Sequence, residues 1–595
     1  MDKRFPNYPV TRRSLLRMAL PLALALRSAS GRALTFPFFG ATRKLTSGTT
    51  GAGTSGAPTT TAEGNAGLTP VAAPQYPSGN VLRYGIVANN PGAAGANGAI
   101  LAKILNATTG LTGLITFPNT TGKDVYYFNG IAYQANPAGV SIELKNSRLE
   151  FAKTYNSGTD DAHGFIEAIA NFEIRNGAIN VNYAGSGGEN AGPIFRLGSR
   201  YNAGGGYSFG KYTHGVLDAD MGVFMGKITL RNLALTSNNP AAPPIWITGG
   251  VDGLLAEDLR FHGSSQPMYF IAYEFGFSST NGQPETLSAW SSSHARNMVF
   301  RNINVSALRT SGTDGAAIDL AGAYDCLIDG LTVDAAFIGV HIRSGEAMGY
   351  RPSSRDAQGM KPAHVSLRNI KTQNIKSNAI TLQGDERATA NYLRKVIAGL
   401  GHPADYAAQT DLITFSVDGF ELSAAGAGIY LSGRGTIQNG KTVHCGSGII
   451  ISDECTRFDV SKVTIIDSTG VGIRANFGNA IWSPPRKKSG TISDCKIAGN
   501  AGPGIVLDNC DGVVIDGNQL GFNVAQDGVA ETTQTQGVSL GPNAFRVTCS
   551  QNRTTCKPGS AAYNSANTAA NAGNRITGEG ITRTVSGAGH FVKDF

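Results

Sequence analysis

The 595-residue sequence has few charged residues, few aromatic residues and no apolar run long enough to cross a membrane. Charged side chains make up 15% of the chain and aromatic ones 8%, while glycine alone contributes 77 residues. The apolar run at residues 18–26 is too short, because a membrane-spanning helix needs about 20 apolar residues. We therefore expect no integral membrane segment.

The seven cysteines lack the Cys-x-x-Cys spacing of metal sites, and their odd number leaves at least one unpaired within a monomer. Cys326, Cys495 and Cys510 lie within or beside strand patterns and are expected inside the fold as small apolar side chains. Cys549 and Cys556 lie in a turn-rich region. They are the pair expected to form a disulfide in an exported protein.

The first 33 residues have the form of a targeting segment. Arg12 and Arg13 form a twin-arginine pair followed by leucines, an apolar stretch and small residues. We interpret residues 1–33 as a twin-arginine signal peptide, which predicts a periplasmic or secreted protein. Without it, 43 of the 50 basic and 41 of the 42 acidic residues remain. This near balance argues against a nucleic-acid partner.

Short alternating segments recur down the chain at intervals in the low twenties. Asp319 and His341 occupy equivalent places in two of them, Ala-Ile-Asp-Leu and Gly-Val-His-Ile. Other copies are Gly-Ile-Tyr-Leu, Gly-Ile-Ile-Ile and Gly-Ile-Val-Leu, and a second type carries Arg-Asn or Asp-Gly at its middle. One such repeat cannot bury its apolar face alone, so the repeats must stack. The sequence predicts an all-β, single-stranded right-handed parallel β-helix.

Changes in composition suggest the domain boundaries. Residues 34–79 are rich in Thr, Gly, Ala and Pro and are predicted to be a flexible linker. The β-helix is predicted over 80–550, with an amphipathic helix at about 97–107 capping its first coil. Residues 551–595 are predicted to be a C-terminal tail. They are small and polar, with one short strand pattern.

Alternation along each strand predicts a column of outward side chains. If Ile318 and Leu320 point inward, Asp319 points outward, and stacking aligns equivalent positions of successive coils. The predicted column contains Trp246, Asp319, His341 and Tyr430, and a neighbouring column contains Arg343 and Gln383. Aromatic rings around a charged centre are typical of a polysaccharide-binding groove. We expect it to be exposed, with Trp246, Tyr430 and Gln383 contacting substrate.

The residue types at the centre suggest its chemistry. Hydrolysis of a glycosidic bond needs two carboxylates. β-Elimination or epimerisation of a uronic acid needs a base and a cation that neutralises the sugar carboxylate. His341 could act as the base, and Arg343 could bind the carboxylate with two hydrogen bonds. Together with Asp319, this arrangement favours elimination or epimerisation over hydrolysis.

The order Tyr-Gly, helix, Thr-Phe-Pro near the start resembles the pectin-lyase-like superfamily of right-handed parallel β-helix, carbohydrate-active proteins. Thr313-Asp314-Gly315 resembles part of the polygalacturonase motif, which implies a catalytic role for Asp314. The paired aspartates of that family are missing, so its mechanism cannot be transferred whole. Arg351 and Arg355 loosely resemble a basic motif of pectate lyases, which implies further substrate contacts.

The sequence thus predicts an exported protein that cleaves or modifies an acidic polysaccharide, by β-elimination at a uronic acid. A polygalacturonase-like glycoside hydrolase, a uronate epimerase and a non-catalytic polysaccharide-binding or envelope β-helix remain alternatives. No cofactor is required by the sequence, although Ca²⁺ could bind Asp314, Asp319 and Asp325. The sugar, its linkage and the oligomeric state are left open.

Overall fold

Thirty-six short β-strands make up most of the described part of the chain. The computed structural model describes residues 59–71, 76–106, 114–129, 132–133, 139–154, 165–168, 171–184, 193–198, 226–239, 243–247, 251–263, 269–274, 295–312, 315–321, 325–343, 363–383, 413–452, 455–477, 487–521, 534–555, 562–566, 573–578 and 591–594. All of them belong to one unit, Ala52–Phe595.

The helices are short and lie near the N-terminus of the described residues. They are α1 (Thr61–Asn65), α2 (Ala94–Asn106) and the 3₁₀ turns Val81–Tyr84 and Pro91–Ala93. The strands are β1 (Leu114–Thr116), β2 (Val125–Phe128), β3 (Ala132–Tyr133), β4 (Val140–Glu143), β5 (Arg148–Thr154), β6 (Ile166–Ala168), β7 (Phe172–Ala184), β8 (Phe195–Leu197), β9 (Ile228–Ser237), β10 (Ile245–Ile247), β11 (Leu254–Gly263), β12 (Ile271–Glu274), β13 (Val299–Ser306), β14 (Ala316–Ala321), β15 (Cys326–Ala336), β16 (Ile338–Arg343), β17 (Ala363–Ile375), β18 (Ile380–Gln383), β19 (Ile413–Ala424), β20 (Ala427–Ser432), β21 (Arg434–Val443), β22 (Ser447–Ser452), β23 (Arg457–Ile466), β24 (Ile473–Phe477), β25 (Lys488–Ser493), β26 (Lys496–Ala498), β27 (Ile505–Leu507), β28 (Cys510–Asp516), β29 (Gln519–Leu520), β30 (Val538–Leu540), β31 (Ala544–Phe545), β32 (Thr548–Ser550), β33 (Arg553–Thr554), β34 (Tyr563–Ser565), β35 (Arg575–Gly578) and β36 (Phe591–Asp594).

The strands form two parallel sheets, which confirms the predicted parallel β-helix. The short-strand sheet has 14 strands: β3, β6, β8, β10, β12, β14, β16, β18, β20, β22, β24, β27, β30 and β34. The other 22 strands form the long-strand sheet. Because the chain alternates between the two sheets and each strand pairs with its equivalent one coil later, the coils stack as a solenoid.

Inward side chains of the short-strand sheet form continuous aliphatic columns. Ile318 pairs in register with Val340, Val340 with Ile380, and Ile380 with Ile429. All four are fully buried. A strand of three to six residues has little stability alone, so the shared core between coils holds the strands in place.

The glycine that begins many repeats is required by the close approach of the next coil. A Cβ on Gly428 would lie 2.6 Å from the carbonyl oxygen of Gly448, and one on Gly448 would lie 2.6 Å from that of Gly472. The same clash recurs at Gly472 and Gly504, at 2.5 and 2.9 Å. Glycine is therefore selected here for space between coils, rather than for backbone flexibility.

The bends within the long strands hold Asn or Gly with positive φ. Asn302 (φ 53°), Asn369 (φ 55°), Gly330 (φ 77°) and Gly419 (φ 72°) occupy the Arg-Asn and Asp-Gly positions of the repeat. Asn tolerates this left-handed conformation better than other residues with a side chain. The Asn369 amide also donates to Asp329 of the preceding coil at 2.8 Å.

Folded structure begins earlier than the predicted boundary at residue 80, so part of the predicted linker is misassigned. Thr60 caps α1, and the buried side chain of Glu63 accepts hydrogen bonds from Arg83 at 2.7 and 3.1 Å. The Tyr84 hydroxyl donates to the same carboxylate at 3.0 Å. The predicted amphipathic helix is α2, whose Asn97 side chain bonds the backbone of residues 87 and 127.

The solenoid also continues past the predicted boundary at 550. Val538 pairs with Tyr563, and Thr548 pairs with Arg575. These later coils escaped prediction because their strands have only two to four residues. Among the described residues, no helix is long and apolar enough to span a membrane.

The cysteine predictions are partly confirmed. Cys326, Cys495 and Cys510 are buried inside the fold, as expected. Cys549 is a buried free thiol, so the predicted disulfide with Cys556, which lies outside the described residues, is wrong. Its side chain faces the core of a late coil. Burial raises the pKa of the Cys549 thiol to about 12.

Candidate functional site

The outward column of the short-strand sheet is present, and strand pairing fixes its order. The column runs Glu167, Arg196, Trp246, Ala272, Asp319, His341, Thr381, Tyr430, Ile450, Arg474, Val506 and Ser539. Sequence reasoning missed Glu167 and Ala272. Their strands lack the glycine that begins other repeats. For Ala272, the available signal was the pair of large apolar residues on either side of it, Ile271 and Tyr273.

Asp319 and Arg343 form a two-point ion pair across neighbouring coils. Arg343 Nε donates to Asp319 Oδ1, and Arg343 Nη2 donates to Asp319 Oδ2, each at 3.1 Å. This parallel geometry is the strongest form of a carboxylate–guanidinium contact. It arises because β14 and β16 pair with Asp319 opposite His341, which places Arg343 two residues further on the same face.

His341 lies between Asp319 and Gln383. Its Nδ1 is 3.6 Å from Asp319 Oδ1, an ion-pair distance longer than a hydrogen bond. Its Nε2 is 3.0 Å from Gln383 Oε1 on the next coil. Because both ring nitrogens face acceptor oxygens, the geometry favours the doubly protonated imidazolium. Gln383, predicted as a substrate contact, therefore has the more immediate role of holding His341.

The pKa values of the two central groups shift in opposite directions. Burial raises the pKa of the Asp319 carboxyl, but His341 and Arg343 outweigh burial, and the pKa lies below its usual value. Burial lowers the pKa of His341, but the Asp319 carboxylate outweighs it, and the pKa lies above 6.5. Opposite charges at short distance favour the charged form of each partner. The two groups therefore each favour the charged form of the other, beside the charged Arg343.

The expectation that these residues form an exposed patch is wrong for Asp319. Its side chain is only 3% exposed, compared with 13% for His341 and 23% for Arg343. Outward alternation indicates which face a side chain lies on, but not whether that face is covered. The carboxylate thus forms the floor of the centre, and the imidazole and guanidinium lie closer to solvent.

Trp246 lies in the same column as Asp319, as predicted, two coils before it. The guanidinium carbon of Arg196 lies 5.7 Å from the centre of a Trp246 ring, a cation–π distance. Arg196 is itself buried, with Nη1 3.9 Å from Glu167 Oε1. At least part of the tryptophan surface is therefore occupied by Arg196, which weakens its assignment as a sugar platform.

The other predicted site residues divide into two groups. Tyr430 is partly exposed and lies two coils after His341. Asp314, Arg351 and Arg355 lie outside the described residues, so their roles remain predictions. Within the described residues, no three His, Cys, Asp or Glu side chains are grouped as metal ligands.

The chain is distantly similar in structure to several known proteins. No protein-family model and no curated protein matches the sequence. A mannuronan C-5 epimerase A-module from Azotobacter vinelandii aligns over 86% of this chain and 97% of its own, at 8% identity and TM-score 0.32. A periplasmic alginate epimerase aligns over 77% of this chain and 88% of its own, at 8% identity and TM-score 0.35.

An endo-xylogalacturonan hydrolase from Aspergillus tubingensis aligns over 84% of this chain and 98% of its own, at 12% identity and TM-score 0.32. Similarities this weak carry no inference about activity. The β-helix assignment rests on the strand pairings of this chain, and any function must be argued from its own residues.

Proposed function

We propose that this chain is an exported enzyme that cleaves an acidic polysaccharide by β-elimination at a uronic acid. The observation that supports it most is the centre formed by Asp319, His341, Arg343 and Gln383 on three successive coils. A buried carboxylate orients two cationic groups whose side chains reach partly into solvent. Titratable groups that shift one another's pKa in this way are typical of functional sites.

The net charge of the centre suits an anionic substrate. With Asp319 ionised, Arg343 charged and His341 protonated, the sum is one positive charge. A single sugar carboxylate would neutralise it. Because the centre is largely removed from water, this attraction is stronger than it would be on an open surface.

The elimination can be written with one proton-transfer residue. In the reacting form, His341 has lost one ring proton and its Nε2 has left Gln383. This nitrogen accepts the proton from C5 of the uronic acid, and the C5–H electron pair forms the C4=C5 double bond. The C4–O bond then breaks, and the proton on His341 passes to the departing oxygen. Arg343 neutralises the sugar carboxylate and so acidifies the C5 proton. Asp319 positions both groups, and no external reagent is consumed.

Two observations bear on the alternatives. Hydrolysis needs a second carboxylate. Within the cluster formed by the described residues Asp319, His341, Arg343 and Gln383, only Asp319 is acidic. A non-catalytic binding function is the stronger competitor, because the Asp319–Arg343 pair already satisfies both charges and would also stabilise a purely structural coil. Turnover measurements distinguish these functions directly.

The proposal is tested by incubating the purified protein with a panel of uronate-containing polysaccharides. Elimination produces an unsaturated sugar that absorbs ultraviolet light together with each new reducing end. New reducing ends without this absorbance would indicate hydrolysis. Changed sugar stereochemistry without cleavage would indicate epimerisation, and binding without any product would support the non-catalytic alternative.

The role of His341 is tested on whichever polymer is turned over. His341→Gln should lower turnover by at least about a hundredfold, because it removes the proton-transfer group. His364→Gln is the matched control, since His364 is an exposed histidine on the long-strand sheet, bonded to Thr414 and Ser366. It should retain full turnover. A folded His341→Gln variant with wild-type turnover would exclude this centre as the active site.

Residues 1–33 lie outside the described residues. Export by the twin-arginine route is therefore proposed from the sequence alone. Replacing Arg12 and Arg13 by Lys should leave the full-length protein in the cytoplasm of a host with this pathway. Fractionation followed by immunodetection measures it. Unchanged export of the double variant would assign the signal to another route.

A further inference from the structure

On the C-terminal side of the centre, the outward column of the described strands changes from charged to uncharged side chains. After His341, the outward column continues through Thr381, Tyr430 and Ile450 before it reaches Arg474. Tyr430 and Ile450 are partly exposed, and neither β20 nor β22 contains a charged residue. The column flanking them consists of the buried side chains of Ser432 and Ser452.

Arg474 lies four coils after His341. At about 4.8 Å per coil, the two positions are about 19 Å apart. One sugar of an extended 1,4-linked polysaccharide is about as long as one coil spacing. A chain lying along the column would therefore place about three sugars between the sugar at the first cationic position and the sugar at the second.

The intervening surface disfavours charged sugars. A carboxylate placed over Tyr430 or Ile450 would lose water without gaining a cation from β20 or β22, which costs free energy. A two-fold chain with a carboxylate on every sugar would still direct every second one toward the protein, and so toward Tyr430. Neutral sugars present C–H faces, which pack favourably on aromatic and aliphatic side chains.

We propose that the substrate is an acidic heteropolysaccharide in which carboxylate-bearing sugars are separated by neutral ones, about one in four, rather than a homopolyuronate. This inference rests on the proposed function, because it assumes that the groove around His341 binds a polysaccharide. Under it, the sugar that reacts lies at His341 and Arg343. Arg474 contacts the next carboxylate along the chain.

The test compares two polymers of matched length at fixed ionic strength. One is a homopolyuronate, and the other has a tetrasaccharide repeat with a single uronic acid. Wild-type kcat/KM should be at least tenfold higher on the sparsely charged polymer. The His341→Gln variant, used to measure binding without turnover, should bind that polymer more tightly than the homopolyuronate.

Two substitutions probe the groove itself. Ile450→Lys adds a cation to the uncharged stretch and should improve binding of the homopolyuronate several-fold. Val514→Lys adds the same charge at an exposed position of the long-strand sheet and should not improve it. Arg474→Gln should raise KM for the sparsely charged polymer and leave kcat unchanged, since Arg474 contacts a sugar that does not react.

The outcomes separate the two proposals. Equal or higher kcat/KM on the homopolyuronate, with an unsaturated product, would overturn the inference and leave the proposed function intact. Preferential binding of the sparsely charged polymer without turnover of any polymer would support the inference and overturn the enzymatic proposal. Improvement by Val514→Lys as large as that by Ile450→Lys would attribute the effect to net charge and overturn the inference.

Discussion

Asp319 is the residue at which strand alternation and burial give different information. Its outward direction was predictable, because alternate side chains of a strand point to opposite faces. Its near-complete burial was not predictable, because burial depends on what packs over the face. An ionised carboxylate is retained there only with charged or hydrogen-bonding partners. Its partners belong to the next coil, so the register had to be known before they could be assigned.

Asp319→Ala should destabilise the protein by about 3–5 kcal/mol, because it removes one partner of a buried ion pair. This is several times the cost expected of an exposed site. Glu421→Ala is the control, since Glu421 is 64% exposed and pairs with Lys371 at 3.9 Å. It should cost about 0.5 kcal/mol or less. Equilibrium unfolding measures both, and similar values for the two variants would contradict the buried pair.

His341 should make stability depend on pH in a defined direction. The Asp319 carboxylate raises the pKa of His341 in the folded protein above its usual value. The folded state therefore binds the proton more tightly than the unfolded state. The stabilisation is fully present below the unfolded pKa and is lost as pH rises through the folded pKa. The difference in unfolding free energy between wild type and His341→Gln should shrink across that window, and a difference that grows with pH would contradict the assignment.

The same shift sets the pH dependence of turnover. His341 must be neutral to accept the C5 proton, so kcat should rise as pH increases through its elevated pKa in the enzyme–substrate complex. An initial-rate profile on a saturating polymer measures this. A kcat that falls across that range would assign the proton acceptor to another group and leave His341 as a cationic clamp.

At the scale of one coil, glycine explains much of what the sequence could reveal. Gly-Ile-x-Leu repeats are recognisable because the coil spacing excludes a Cβ at the first position. Some coils lack this glycine, and the one containing Ile271–Glu274 was missed because its sequence does not match the repeat. In the coils that contain this glycine, the residues that pair with one another could be assigned correctly from the sequence. The number of coils between Trp246 and Asp319 could not be derived from it.

Gly448→Ala should destabilise the protein by about 1–3 kcal/mol, as expected for overpacking. The added Cβ would lie 2.6 Å from the Gly472 carbonyl oxygen and 2.5 Å from Ile465 Cγ2. Gly95→Ala is the control, because no atom lies within 4 Å of a Cβ there and Gly95 is in α2. It should stabilise by about 0.5–1 kcal/mol. A neutral Gly448→Ala would show that the coils can separate without cost.

Across the whole molecule, the fold was easiest to predict from the sequence of the interior coils. It was hardest to predict at the two ends of the solenoid. Repeated Ile, Val and Leu predicted a stacked core because only a shared interior could bury them. At the N-terminus, burial of Glu63 depends on Arg83 and Tyr84, about twenty residues later in the chain. No local sequence pattern could therefore predict that Glu63 is buried. At the C-terminus, very short strands hid the last coils in a polar sequence.

The six described cysteines are buried free thiols, which predicts their reactivity. In a Cys556→Ser variant, a thiol reagent should label none of them in the native state and all six after unfolding. Reducing agents should not change the Tm, because none of the six is in a disulfide. Mass spectrometry after labelling counts the adducts. Fewer than six adducts in the unfolded, unreduced variant would demonstrate a disulfide.

Since each coil pairs only with its two neighbours, the length of the molecule can change one coil at a time. The stretch from Ala427 to Gly446 advances the solenoid by one coil, with Ala427 opposite Ser447. Duplicating these 20 residues would present the same glycine, aliphatic and serine positions to both neighbours. Gene duplication could thus extend the groove by the length of about one sugar. The length of substrate that is bound and the spacing between its charges would then change in steps of one coil, without any change in the reacting residues.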